Sequence, residues 1–146
     1  MNGENLSIAE LVCELTRNCN LKEENFAAGF NLSPTEVRLL NLFSSNTSYT
    51  SKELREKLKL TAGRITHILI SLEEKNLVSR IQDVNDKRII LVKLRPKAHL
   101  LINNLKESYD DLHKRILQNL TKEEMKNIIS SLQKLNDVLG KWINKK

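Results

Sequence analysis

Apolar positions recur at helical spacing in six stretches of this chain, and one segment breaks that rhythm. Ile8, Leu11, Val12, Leu15 and Cys19 fall three and four apart, predicting an amphipathic helix from Leu6 to about Arg17. Asn18-Cys19-Asn20 is a weak stop, and nothing between Leu21 and Leu32 specifies more than a loop. Ser33-Pro34-Thr35-Glu36 then opens a second helix: Ser33 caps it, Pro34 suits its first position and Glu36 completes a capping box. Val37, Leu39, Leu40, Leu42 and Phe43 form its buried side. Thr50-Ser51-Lys52-Glu53 repeats the signature before a short helix to about Leu58, with Leu54 and Leu58 inward. After the tight connection Lys59-Leu60, Thr61 caps a helix to about Lys75, buried through Ile65, Ile68, Leu69 and Leu72. Asn76, which tolerates the left-handed conformation, ends it.

Beyond Asn76 the period changes. Leu77-Val78-Ser79-Arg80-Ile81 and Ile89 to Leu94 are rich in β-branched residues and flank the polar segment Gln82 to Arg88, predicting a two-stranded hairpin. Pro96 starts a long helix to about Asn119, and Thr121-Lys122-Glu123-Glu124 caps a last one. In that helix Met125, Ile128, Leu132, Leu135, Leu139 and Trp142 follow intervals of 3, 4, 3, 4 and 3, the seam of helices packed in coiled-coil fashion. Ile129, Val138 and Ile143 widen the stripe. Helical packing within one chain accounts for some of this surface, but the compact middle segment offers little to cover so wide a stripe. A homodimer built from the terminal helices is the expectation.

Two helices joined by a few residues, the second beginning with small and polar side chains and followed by a hairpin, form a winged helix-turn-helix. The predicted fold is therefore mainly α with a small β-hairpin wing: a winged helix-turn-helix at residues 33–98 and a helical dimerisation region from residues 1–32 and 99–146. Charge strengthens this picture through its location. The 146 residues carry 24 Lys/Arg and 18 Asp/Glu, a net charge of +6. Thr50 to Ala98 holds 12 of the basic and 6 of the acidic residues, so the whole surplus lies on the predicted winged segment. Binding duplex DNA by counterion release requires such a distribution.

The first turns of a recognition helix meet base edges in the major groove, which selects Ala62, Gly63, Arg64, Thr66 and His67. Arg64 matches guanine or phosphate, and the small residues at 62 and 63 permit close approach. Ser51, Lys52 and Lys87 are phosphate candidates. Arg88 is the minor-groove candidate, steadied by Asp86, whose carboxylate would repel phosphate but accepts from Arg88 or Arg80.

Other chemistry finds little support. His67, His99 and His113 are scattered; the last two lie on one predicted helix, ~21 Å apart along its axis. No nucleophile elbow, phosphate-binding glycine loop or clustered Cys/His set appears, so no enzyme, cofactor or metal site is expected. No run reaches the ~18 apolar residues of a membrane span, and Met1 to Asn5 lacks the basic start of a signal peptide, giving a cytoplasmic expectation without a membrane partner. Cys13 and Cys19, six apart, face opposite sides of a helix, which disfavours a disulfide between them. As single thiols either is a candidate redox switch, against the commoner role of a small buried hydrophobe.

The run Leu60-Thr61-Ala62-Gly63-Arg64-Ile65-Thr66-His67, then Leu72 to Arg80, then Asp83, Asp86, Lys87 and Arg88 before Leu94, resembles the MarR family of bacterial transcription regulators. Its D-x-x-D-x-R wing is intact. Asn76 stands where glycine is usual, Arg95 for a common threonine and Ala98 for a common glycine. The resemblance implies an obligate homodimer on a pseudo-palindromic operator, usually as a repressor, often released by a small-molecule effector or by thiol oxidation. A thiol-sensing regulator switched through Cys13 or Cys19, and a winged-helix module that binds an acidic protein instead of DNA, are the alternatives.

Overall fold

The computed structural model describes residues 7–145. Six helices and three short strands follow in the order α1 (Ile8–Ala28), α2 (Pro34–Leu42), β1 (Ser48–Thr50), α3 (Ser51–Leu58), α4 (Ala62–Glu74), β2 (Val78–Gln82), β3 (Ile90–Leu94), α5 (Pro96–Gln118) and α6 (Lys122–Asn144). The chain divides into two compact units, one ending at Leu105 and the other starting at Lys106, inside α5.

Helix starts match the capping signals. Ser33 accepts from the Glu36 N–H while the Glu36 carboxylate accepts from the Ser33 N–H, and Thr121 with Glu124 does the same. Thr50 and Thr61 accept from the N–H groups of Glu53 and Arg64. Lys59 (φ 55°) ends α3 in the left-handed region, letting the Leu60 N–H return to the Arg55 carbonyl (3.0 Å) and α4 begin at Ala62. Asn76 (φ 61°) is left-handed as expected and sends the Leu77 N–H back to the Leu72 carbonyl.

Two expectations are corrected. Helix α1 does not stop near Arg17 but continues to Ala28, so most of the supposed loop is helical. Asparagine costs a helix interior only ~0.7 kcal/mol, and no glycine or proline intervenes before Gly29. Ala27, fully buried, with Phe30 and Leu32 anchors that end in the core. The helix begins with a capping box from Ser7 and Glu10; Leu6, where the apolar pattern starts, lies outside the described residues. The wing, in turn, is not a lone hairpin. Strand β1 pairs antiparallel with β3 (Tyr49 opposite Val92), giving the sheet order β1-β3-β2. Tyr49 is buried edge-to-face on Phe43 and donates its hydroxyl proton to the Leu42 carbonyl (2.8 Å).

The core of the first unit joins Leu39 and Leu40 of α2, Leu54 of α3, Ile65, Leu69 and Leu72 of α4, Val78 and Val92 of the sheet, and Ala98 and Leu105 of α5. Glu36 is the exception, a carboxylate only 8% exposed. The Lys75 ammonium resolves it, bonding both Glu36 oxygens (3.2 and 3.0 Å) and the Asn31 carbonyl (2.9 Å). Lys97, in the first turn of α5, donates to the Lys75 carbonyl (3.5 Å). The C-terminal end of α4 is thereby tied to the start of α2 and the start of α5.

The second unit presents a different surface. Helix α6 buries none of its residues, and Ile128, Ile129, Leu132, Val138, Leu139, Trp142 and Ile143 are all exposed. On α1, Ile8, Leu11, Leu15 and Leu21 are exposed as well. No helix is long and apolar enough to cross a membrane among the described residues.

Candidate nucleic-acid interface

Helix α4 carries two chemically distinct sides. At 100° per residue, Ile65, Ile68, Leu69 and Leu72 share the side sealed into the core, while Gly63, Thr66, His67 and Ile70 occupy the opposite, exposed one. Ala62 and Arg64 lie exposed in the first turn. Arg64 has no ion-pair partner among the described residues, so its fork of donors stays available. The Thr66 hydroxyl donates to the Ala62 carbonyl (2.9 Å) within the helix, which leaves its oxygen as an acceptor.

Open grooves flank this helix. One, of about 410 Å³, lies between α4, the start of α3 and the wing, lined by Ser51, Lys52, Arg55, Ala62, Thr66 and Arg88. The other, of about 610 Å³, lies between α4 and the start of α2, lined by Ser33, Thr35, Arg38, Arg64, His67 and Ser71. The first brings together four of the sequence candidates with Arg88 of the wing. Arg55 and Arg38 were not among those candidates. Arg55 was within reach of sequence reasoning, because it stands three residues after Lys52 and so shares its face of α3; nothing in the sequence brings Arg38 beside α4.

The wing is a prearranged loop. Asp83 closes it, its N–H donating to the Ile89 carbonyl (2.9 Å) and its carboxylate accepting from the N–H groups of Asn85 and Asp86. Asp86 then takes Arg88 by three bonds: the backbone N–H and Nε donate to Oδ1 (3.0 and 3.1 Å) and Nη2 to Oδ2 (3.2 Å). The fork is held although the Arg88 side chain is 90% exposed. These hydrogen bonds, with that from the Arg88 backbone, hold the Asp86 carboxyl below its ordinary pKa. The pair thus persists through neutral pH and is released only as pH falls through that lowered value. Of the two arginines that Asp86 was expected to serve, Arg88 is the partner. Arg80 instead bonds Glu73 through Nε and Nη2 (3.3 and 3.1 Å), tying strand β2 to α4 and lowering the Glu73 pKa, chiefly through that hydrogen bond. Lys87 is exposed at the wing beside Arg88. Cys13 and Cys19 lie away from these residues on α1, both as exposed free thiols rather than buried hydrophobes. Among the described residues, no group of three or more His, Cys, Asp or Glu is arranged to hold a metal ion.

Comparison with known proteins agrees with this architecture. A sequence model of the MarR family matches residues 32–90. The uncharacterized HTH-type transcriptional regulator YcgE of Bacillus subtilis is 31% identical over 117 residues, spanning 77% of this chain and 73% of that protein. The multiple antibiotic resistance protein MarR of Salmonella typhimurium is 28% identical over 112 residues, 76% of this chain and 78% of its own. The crystal structure of Streptococcus pneumoniae FabT in complex with DNA superposes with a TM-score of 0.79 at 21% identity, covering 92% of this chain and 96% of that one, a likeness of fold. The chain therefore belongs to the MarR family and is a transcriptional regulator, not an enzyme.

Proposed function

We propose that the chain is a cytoplasmic homodimer that binds a pseudo-palindromic operator in duplex DNA and represses transcription by occluding a promoter, with a small-molecule effector relieving it. The observation that carries this reading is the placement of the exposed side of α4 between two basic grooves, with Arg88 projecting beside one of them on a rigid wing. In this reading α4 lies in the major groove, Arg64, Thr66 and His67 face base edges, and Ala62 and Gly63 let the helix approach. Arg88, steadied by Asp86, enters the adjacent minor groove, and Ser51, Lys52 and Lys87 meet phosphates. Residues 33–98 form the reading lobe, while residues 1–32 and 99–146 form the dimerisation region, whose occupant is a second copy meeting the exposed apolar stripes of α1 and α6. The DNA-bound state of FabT, a protein of the same fold, supports the choice of duplex DNA.

Fluorescence anisotropy tests this on duplex DNA from upstream of the chain's own gene and on a scrambled duplex, at two salt concentrations. The expected result is tight, salt-sensitive binding that prefers the upstream duplex, with that preference relaxed at particular bases in Arg64→Ala. Salt-insensitive binding indifferent to sequence would point to the protein-interaction alternative. A thiol switch is the second reading, favoured by the exposure of Cys13 and Cys19. Peroxide-sensitive DNA release that survives in the Cys13→Ser, Cys19→Ser double variant dismisses it.

Gly63 separates folding from binding. It sits at negative φ, and a Cβ built there meets nothing within 4 Å. Gly63→Ala should therefore stabilise α4 by about 0.5 kcal/mol and raise the melting temperature. Yet the same methyl group would stand on the side facing DNA and should weaken binding to every sequence. Melting and anisotropy moving in opposite directions is the expected pair of results; unchanged affinity would place Gly63 away from the DNA.

A further inference from the structure

The groove between α2 and α4 has α2 as its outer wall, and α2 belongs neither to the α3–α4 pair nor to the wing, so the reading above gives that wall no contact. We propose that it seats backbone phosphates of the DNA strand on the far side of the major groove, with Arg38 of α2 as their cationic contact. This rests on the proposed placement of α4 in the major groove.

The steric argument is simple. An α-helix with its side chains is ~10–12 Å across, and the major groove is ~12 Å wide. A helix lying in it must have one phosphate backbone along each flank. The α4 residues that line the two grooves are Ala62, Ile65 and Thr66 on one side and Arg64, His67, Ile68 and Ser71 on the other. At 100° per residue these sets are centred ~160° apart around the helix. Lys52, Arg55 and Arg88 serve the α3 flank. On the α2 flank the equivalent charges are Arg38 and Arg64, with the Thr35 hydroxyl beside them.

Charge bookkeeping on that flank favours an anion. The one carboxylate lining the groove, Glu36, is turned inward and neutralised by Lys75 at 3.0 Å. Among the described residues Arg38 pairs with one acid, Glu23 of α1, at 3.8 Å, with side chains 59% and 37% exposed. A pair that long and that open to water contributes little and exchanges readily. Phosphate offers the guanidinium a bidentate partner in its place. Arg38 would thus add affinity without adding sequence preference, because a phosphate carries no base identity.

Anisotropy of the wild type, Arg38→Ala, Glu23→Gln and Arg88→Ala over about 50 to 200 mM salt, on upstream and scrambled duplexes, tests the proposal without knowledge of the operator. A dimer missing two phosphate contacts should show a salt slope shallower by about 1.8, so that the wild type's advantage over Arg38→Ala shrinks about tenfold across that range. The loss should be equal on both duplexes. Glu23→Gln, which frees Arg38, should bind at least as tightly as the wild type. A loss in Glu23→Gln matching that in Arg38→Ala would show that Arg38 acts through its ion pair, and overturns the proposal. An unchanged slope in Arg38→Ala, beside a reduced one in Arg88→Ala, overturns it while leaving the DNA reading intact. Weak binding by the wild type, indifferent to salt and to Arg88, overturns both.

Discussion

Replacing Arg88 with alanine should weaken DNA binding about a hundredfold, on operator and scrambled duplex alike. The proposed dimer would lose two arginines, and at ~1.5 kcal/mol per contact, the low end for hydrogen bonds to charged groups, the two together reach about that factor. Geometry sharpens the test. Asp86 holds the guanidinium by two of its nitrogens and the arginine's own backbone N–H, so the side chain is aimed before DNA arrives. Little ordering entropy then remains to be lost on binding. Two accounts of Asp86 consequently diverge. If only charge mattered, Asp86→Ala would remove a carboxylate that repels phosphate and binding would tighten. If aiming matters, the same change should weaken binding, by less than Arg88→Ala. Affinities from salt titrations of the two variants decide between them, and tighter binding by Asp86→Ala would sink the positioning role.

The second large effect is expected at α6. Seven of its large apolar residues, Ile128 to Ile143, are exposed, and none of its positions is buried. Apolar area of this extent on one helix calls for a partner. Aspartates at Leu132 and Leu139 would place two charges in the middle of the stripe, where desolvation without a counter-ion is prohibitive. Light scattering should then report a particle of one 16.8 kDa chain in place of a pair. DNA affinity should fall at least ~100-fold as two linked half-site contacts become independent. A dimer that persists in the double variant, or a monomer that binds as the wild type does, would remove α6 from the interface.

Sequence reasoning succeeded where the cause is local and failed where it is not. Ser33, Thr50, Thr61 and Thr121 announce their helices because a cap is satisfied three residues away. Asn76 marks the end of α4 by tolerating a positive φ, and Asp86 and Arg88, two residues apart, find each other within one loop. Strand β1 escapes notice because three residues are too few to show a period, and its pairing with β3 spans more than forty positions. The length of α1 was underestimated for a related reason: its end is fixed by Ala27, Phe30 and Leu32 reaching a core assembled from later elements. Arg38 is one more exposed cation until packing sets α2 beside α4. Glu36 and Lys75, 39 residues apart, are equally silent in the sequence.

The Lys75 cluster carries a mechanical implication. Because one ammonium grips the Asn31 carbonyl and both Glu36 oxygens, α4 is hinged at its far end to α2 and to the loop that precedes it. Eleven residues separate that fulcrum from Arg64, a lever arm of ~16 Å. A tilt of about 10° there sweeps the tip through ~3 Å, close to the ~3.4 Å step between neighbouring base pairs. An effector of the proposed kind would not need to touch the tip of α4 to spoil its alignment; a small rotation where α4 is tied to α2 and the preceding loop shifts the tip by nearly one base-pair step.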